Sequence, residues 1–146
     1  MVLRAAVAGT LFLTLLAGCA STPIPTSNLL KMTRSFAERL RWQDIDVVAA
    51  YVVAEEREAF RANWKGVEDL HVVETRVTGF KMVDEETAEV TMDIDYYLLP
   101  SATVKRIDSQ QVWEYRAGDR LQVGSWELAS GMPMLPVKPD SPQKDE

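Results

Sequence analysis

Along the chain the spacing of apolar side chains changes twice, and each change marks a different kind of element. Leu29, Met32, Phe36 and Leu40 recur at helical intervals, with Lys31, Arg34, Glu38 and Arg39 between them. This spacing predicts an amphipathic helix over residues 29–41, with Ser27 and Asn28 as the candidate caps. Asp44 starts a second stripe of Ile45, Val48, Ala49 and Val52, and Phe60 and Trp64 stand four apart in a stretch led by Glu55 and Glu56. Two helices with a bend near Val53 and Ala54, or one bent helix, satisfy this pattern, and Gly66 ends it.

Beyond Gly66 the period falls to two. Ala88, Val90, Met92, Ile94, Tyr96 and Leu98 alternate with Thr87, Glu89, Thr91, Asp93, Asp95 and Tyr97. That alternation predicts a strand with one face in a core and one in water. The strand before it, residues 67–83, changes phase near Val72 and Val73 and again at Gly79, the mark of bulges that curve a sheet. A third strand over residues 102–116 follows Pro100 and Ser101. A fourth, over residues 120–129, follows Ala117-Gly118-Asp119 and breaks phase at Gly124. Helices first and strands after predict an α+β domain, with N-terminal helices packed on a curved four-stranded antiparallel sheet.

Composition then removes whole classes. With 47% apolar and 26% charged residues the chain belongs with globular proteins, and its length holds one domain. One Cys and one His exclude an intrachain disulfide and a structural zinc site. A formal charge of −6 argues against a nucleic-acid partner. The scattered glycines form no phosphate loop, and Asp84-Glu85-Glu86 lacks the alternating ligands and glycine of a calcium loop. No cofactor and no metal site is expected.

The single cysteine has a distinctive setting. Arg4 is followed by an apolar run over residues 5–17, too short for a permanent span and fit for the core of a signal peptide. The run closes on Leu16-Ala17-Gly18-Cys19, which resembles the lipobox of bacterial lipoproteins. The resemblance implies cleavage between Gly18 and Cys19 and several acyl chains on Cys19. Each buried CH₂ contributes about 0.8 kcal/mol, so one chain holds marginally and two or more hold stably. Ala20, and not Asp, comes next; in enteric-type sorting this implies an outer-membrane destination with the domain on the periplasmic side. Loss of Arg4 with the signal takes the formal balance from −6 to −7. That surplus keeps a tethered domain off anionic lipid or simply keeps it soluble.

Proline divides the rest. Six of the seven prolines lie at the two ends of the mature chain, and Pro100 is the exception. Residues 1–18 thus form the signal, 19–28 the lipidated cysteine and an extended spacer, 29–131 the domain and 132–146 a proline-spaced tail. The tail reads either as a stiff polyproline II ligand or as a disordered terminus.

The element order, the Trp42-x-Asp44 step, Phe60 with Trp64, and Trp113 and Trp126 in the last two strands together resemble the NTF2-like, or cystatin-like, superfamily. This resemblance implies a cone between helices and sheet, with Trp42, Tyr51, Phe60, Trp64, Tyr96, Trp113 and Trp126 as candidates for its lining; the same aromatics also serve as ordinary core. An isomerase of that superfamily needs a carboxylate and a tyrosine donor inside the cone. Asp93 and Asp95 fall on the wet side instead, with Thr91 and Tyr97, while Tyr96 shares the dry side. His71, the lone imidazole, sits at an irregular strand start without an acid or nucleophile partner. No catalytic constellation emerges. Two readings follow: a binding or assembly module whose wet face, with Arg106 and Glu114 nearby, meets a second copy or another envelope protein, and a pocket for a small apolar ligand or isomerase substrate.

Overall fold

The computed structural model describes residues 26–65, 67–118 and 123–132. The expected signal segment with Gly18 and Cys19, the expected spacer up to residue 25 and the proline-spaced tail from Pro133 lie outside them.

Helix α1 (Thr26–Arg41) begins three residues before the expected start, so Ser27 and Asn28 lie in its first turn instead of capping it. It buries Leu29, Thr33, Phe36, Ala37 and Leu40 on one side and exposes Lys31, Arg34, Glu38, Arg39 and Arg41 on the other. Thr33 satisfies its buried hydroxyl by donating to the Leu30 carbonyl at 3.2 Å. The chain reverses at Gln43, which adopts φ 54°, a left-handed conformation uncommon outside glycine. The Gln43 amide pins that reversal: its Nε2 donates to the Leu70 carbonyl at 3.0 Å, and its Oε1 accepts from the Val72 N–H at 3.4 Å.

The expected bent helical region is three short pieces: α2 (Ile45–Ala49), a 3-10 turn (Ala54–Glu56) and α3 (Arg57–Trp64). What interrupts it is a strand contact. Val52 forms a parallel bridge to Leu128, with the Val53 N–H donating to the Leu128 carbonyl at 3.0 Å and the Leu128 N–H to the Tyr51 carbonyl at 2.7 Å. A helix cannot continue through residues whose backbone groups are committed elsewhere. Arg57 Nε closes the corner on the Val52 carbonyl at 2.8 Å.

Strands β1 (Leu70–Met82), β2 (Thr87–Leu98), β3 (Ser101–Arg116) and β4 (Ser125–Ser130) form one antiparallel sheet in sequence order. The fold is thus α+β, an open four-stranded meander with a few helices. β1 starts three residues later than expected, and its register shifts fall at Val72/Glu74 and Val77/Gly79, where the hydrophobic phase slips. β4 starts at Ser125; the earlier part of its expected span, residues 120–122, is not described. The turn between β2 and β3 contains a cis Leu99–Pro100 bond.

One core joins helix and sheet residues. Leu29, Phe36 and Leu40 of α1 cluster with Val90, Met92 and Ile94 of β2, Trp113 of β3, and Trp126 and Leu128 of β4. Phe36 meets Trp113 edge-on at 5.5 Å, and Thr75 of β1 donates to the Ala37 carbonyl of α1 at 2.7 Å. The sheet therefore has an inner face, which shares this core, and an outer face. β2 shows the division residue by residue, with Ala88, Val90, Met92, Ile94 and Tyr96 buried and the intervening residues not.

Candidate functional site

The outer face is ordered by charge. Asp95 stands directly opposite Arg106 of β3 and Glu74 of β1. Arg106 grips it with two hydrogen bonds, Nε to Oδ1 at 2.6 Å and Nη2 to Oδ2 at 3.0 Å, and Arg76 adds a third, Nη2 to Oδ2 at 3.0 Å. This fork geometry suits a carboxylate. Arg76 also binds Glu74, and Arg106 lies 3.9 Å from Asp93. The Asp95 side chain is only 13% exposed beneath its arginines. Hydrogen bonding from Arg106, reinforced by its charge and by Arg76, holds the Asp95 carboxyl below the usual carboxylate range. The bonds to Asp95 raise Arg106, and the bond to Glu74, with a smaller part from Asp95, raises Arg76, so all three groups stay charged across physiological pH.

Around this centre the face remains polar. Thr91 donates to Gln110 Oε1 at 3.3 Å, and Tyr97 stacks on His71 with ring centroids 5.0 Å apart. Thr91, Asp93, Asp95 and Tyr97, the residues the alternation assigns to the wet side, thus lie on one face with Arg106 and Glu114. The spacing did not point to Arg76 or to the His71–Tyr97 stack. Arg76 lies between the two register shifts of β1, where residue parity no longer tells the face.

The sheet register sets four basic outer-face residues, Arg76, Lys81, Arg106 and Arg116, against seven carboxylates running from Glu74 to Glu127. The surface is therefore acidic, and its ion pairs leave a surplus of negative charge.

The seven candidate lining aromatics divide. Phe60, Trp113 and Trp126 are fully buried, Tyr96 nearly so, and Tyr51 and Trp64 are partly buried against the core. Trp113 donates its Nε1 to Gln111 Oε1 at 2.9 Å; Gln111, itself buried, reaches Ser109 Oγ at 3.2 Å, and Ser109 donates to the Gly131 carbonyl at 3.0 Å. This polar ladder satisfies a tryptophan inside the core. Trp42 stands apart at 72% exposure, with the Arg41 guanidinium 5.8 Å from its ring centre. The reversal at Gln43 leaves Trp42 outside the core, a turn that helical spacing does not reveal.

Two hollows are described, and none of the seven aromatics lines either. One, of about 240 Å³, lies between Val52, Glu56 and residues 128–132. The other, a shallow groove of about 320 Å³, runs along α1 between Leu30, Lys31, Arg34, Ser35 and Glu38. Among the described residues no cluster of three or more His, Cys, Asp or Glu side chains could hold a metal ion, and no helix is long and apolar enough to cross a membrane. Comparison with protein-family models, curated proteins and solved structures finds no match.

Proposed function

We propose that the protein is a lipoprotein of the bacterial cell envelope, anchored through acyl chains on Cys19 at the outer membrane, whose periplasmic NTF2-like domain acts as a binding or assembly module. Support for the anchor is the order of Arg4, the apolar run and Leu16-Ala17-Gly18-Cys19. Support for the binding role is one observation: the outer sheet face is uncovered among the described residues, yet it holds an ion-pair lattice centred on Asp95 and an acidic surplus. The partner that fits is a basic surface of another envelope protein. A second copy stacked face to face would oppose one acidic surplus with another, which is unfavourable. The aromatics proposed for a cone serve as core, with Trp113 and Trp126 at zero exposure, so the pocket reading gains no support.

A photo-crosslinking residue placed at Asp108, an exposed outer-face position, tests the binding role in intact cells. The expected result is an adduct heavier than the chain and different from its dimer, not formed when the probe stands at Ala62 of α3. Adducts from Ala62 alone, or a product of twice the chain mass, would refute a heterologous partner on this face.

A further inference from the structure

Basic residues concentrate on α1 and acidic ones on the outer sheet face, while the segment between α1 and the sheet carries both signs, with Asp44, Asp46, Glu55, Glu56 and Glu58 exposed. Four of the five charged residues of α1 are basic, Lys31, Arg34, Arg39 and Arg41, and Glu38 is the fifth; all are exposed. The opposite side of α1 enters the core shared with the inner sheet face, so this basic surface and the acidic outer sheet face point away from each other. Among the described residues Lys31, Arg34 and Arg39 make no ion pair, although the chain as a whole is acidic. At the end of the same helix stands Trp42, the exposed aromatic beside Arg41.

We infer that the exposed face of α1, with Trp42 at its end, docks on the anionic lipid surface that carries the anchor and fixes the outward orientation of the acidic sheet face. The inference rests on the lipoprotein reading. Six residues separate Cys19 from Thr26. Fully extended they span about 20 Å, so α1 is the first folded element the bilayer meets. The apolar face of α1 is taken up by the core, so its contact with lipid is made by these cations against phospholipid headgroups, with the amphipathic ring of Trp42 beside them. The acidic surplus of the outer sheet face does not oppose this docking, whereas Glu38, Asp44 and Asp46 near the helix reduce it. A helix is about 10 Å across and the Debye length at physiological salt is about 8 Å, so carboxylates on the far face of the sheet are screened from the lipid. The groove lined by Leu30, Lys31, Arg34, Ser35 and Glu38 gives a headgroup phosphate a place to sit against two cations and one carboxylate.

The full chain is reconstituted in vesicles of phosphatidylcholine alone or mixed with phosphatidylglycerol, and acrylamide quenching of tryptophan fluorescence is read. Trp113 and Trp126 are fully buried and Trp64 partly so, which makes Trp42 the main quenchable ring, and Trp42→Phe verifies that assignment. The expected result is shielding of Trp42 on the mixed vesicles only, reversed by high salt and by K31Q/R34Q/R39Q. Each cation contributes about fivefold to the docked population, so the triple substitution reduces it on the order of a hundredfold. Equal quenching on both vesicles, or shielding that survives the triple substitution, overturns the inference. The salt arm needs no substitution, so a poorly folding variant does not decide the matter. Incorporation of labelled fatty acid, lost in Cys19→Ser, reports the anchor separately, so either reading can fail without the other.

Discussion

Asp95 connects three strands: its two oxygens accept from Arg106 on β3 and from Arg76 on β1 while its own backbone lies in β2. Its carboxyl titrates below its ordinary value because the arginines favour the charged form. A group whose folded pKa is depressed contributes stability that is fully present above its unfolded pKa, about 3.9 for Asp, and that disappears as pH falls through the folded value. The protein should therefore lose part of its resistance to urea on acidification below about pH 4. Asp95→Asn should reduce that acid-dependent loss and lower the urea midpoint at pH 7, where it leaves Arg76 and Arg106 facing each other without their shared carboxylate. Urea titrations of both proteins at neutral and acid pH check this, and identical acid sensitivity would remove Asp95 from the account. The effect remains small, since Arg106 is half exposed and water screens the pair.

At the scale of elements, two glycines of the sheet separate a bulge from a closure. Gly79 lies at the second register shift of β1, and a Cβ there would meet Thr91 at 3.8 Å or more, ordinary contact. Gly131 follows β4 at φ +82°, and a Cβ there would collide with the Gln110 carbonyl oxygen. Gly79→Ala should therefore leave the thermal midpoint within a degree or two of the parent, within the range of about ±0.5 kcal/mol usual for benign substitutions. Gly131→Ala should cost more than about 1 kcal/mol, because it meets both left-handed strain and a backbone clash. Parallel melting curves decide between them, and equal shifts would refute this distinction. The same elements show what the sequence could reveal. β2 was legible because its alternation runs unbroken for twelve residues between a core and solvent. The slips in β1 were legible as phase changes, but they removed the parity that would have placed Arg76 beside Asp95. The break in the second helical region was legible near Val53 and Ala54, but its cause was hidden, because it is the bridge from Val52 to Leu128, a contact across 76 positions that no local pattern records. Gln111 was equally hidden: a polar residue at an inward position makes sense only once Trp113 Nε1 is found 2.9 Å away.

For the molecule as a whole, the sign of the net charge matters less than its arrangement. A uniformly acidic domain would be pushed from anionic lipid, whereas one with a basic helix on one side and an acidic sheet on the other gains an orientation from the same field. Orientation alone does not hold a protein at a membrane. Four cations at about 1 kcal/mol each would give an attraction that salt removes, while the acyl chains proposed for Cys19, at about 0.8 kcal/mol per CH₂, would give one that it does not. The two contributions should separate in cells. The parent protein is expected to stay with the membrane fraction through a high-salt wash, and Cys19→Ser to move to the soluble fraction under the same wash. K31Q/R34Q/R39Q, with Cys19 intact, should remain membrane-bound and show altered accessibility at the outer sheet face, which protease protection in spheroplasts can read. A Cys19→Ser protein that stays on the membrane after high salt would sink the anchor. A triple variant lost from the membrane before any salt wash would show instead that the helix, and not the cysteine, carries the attachment.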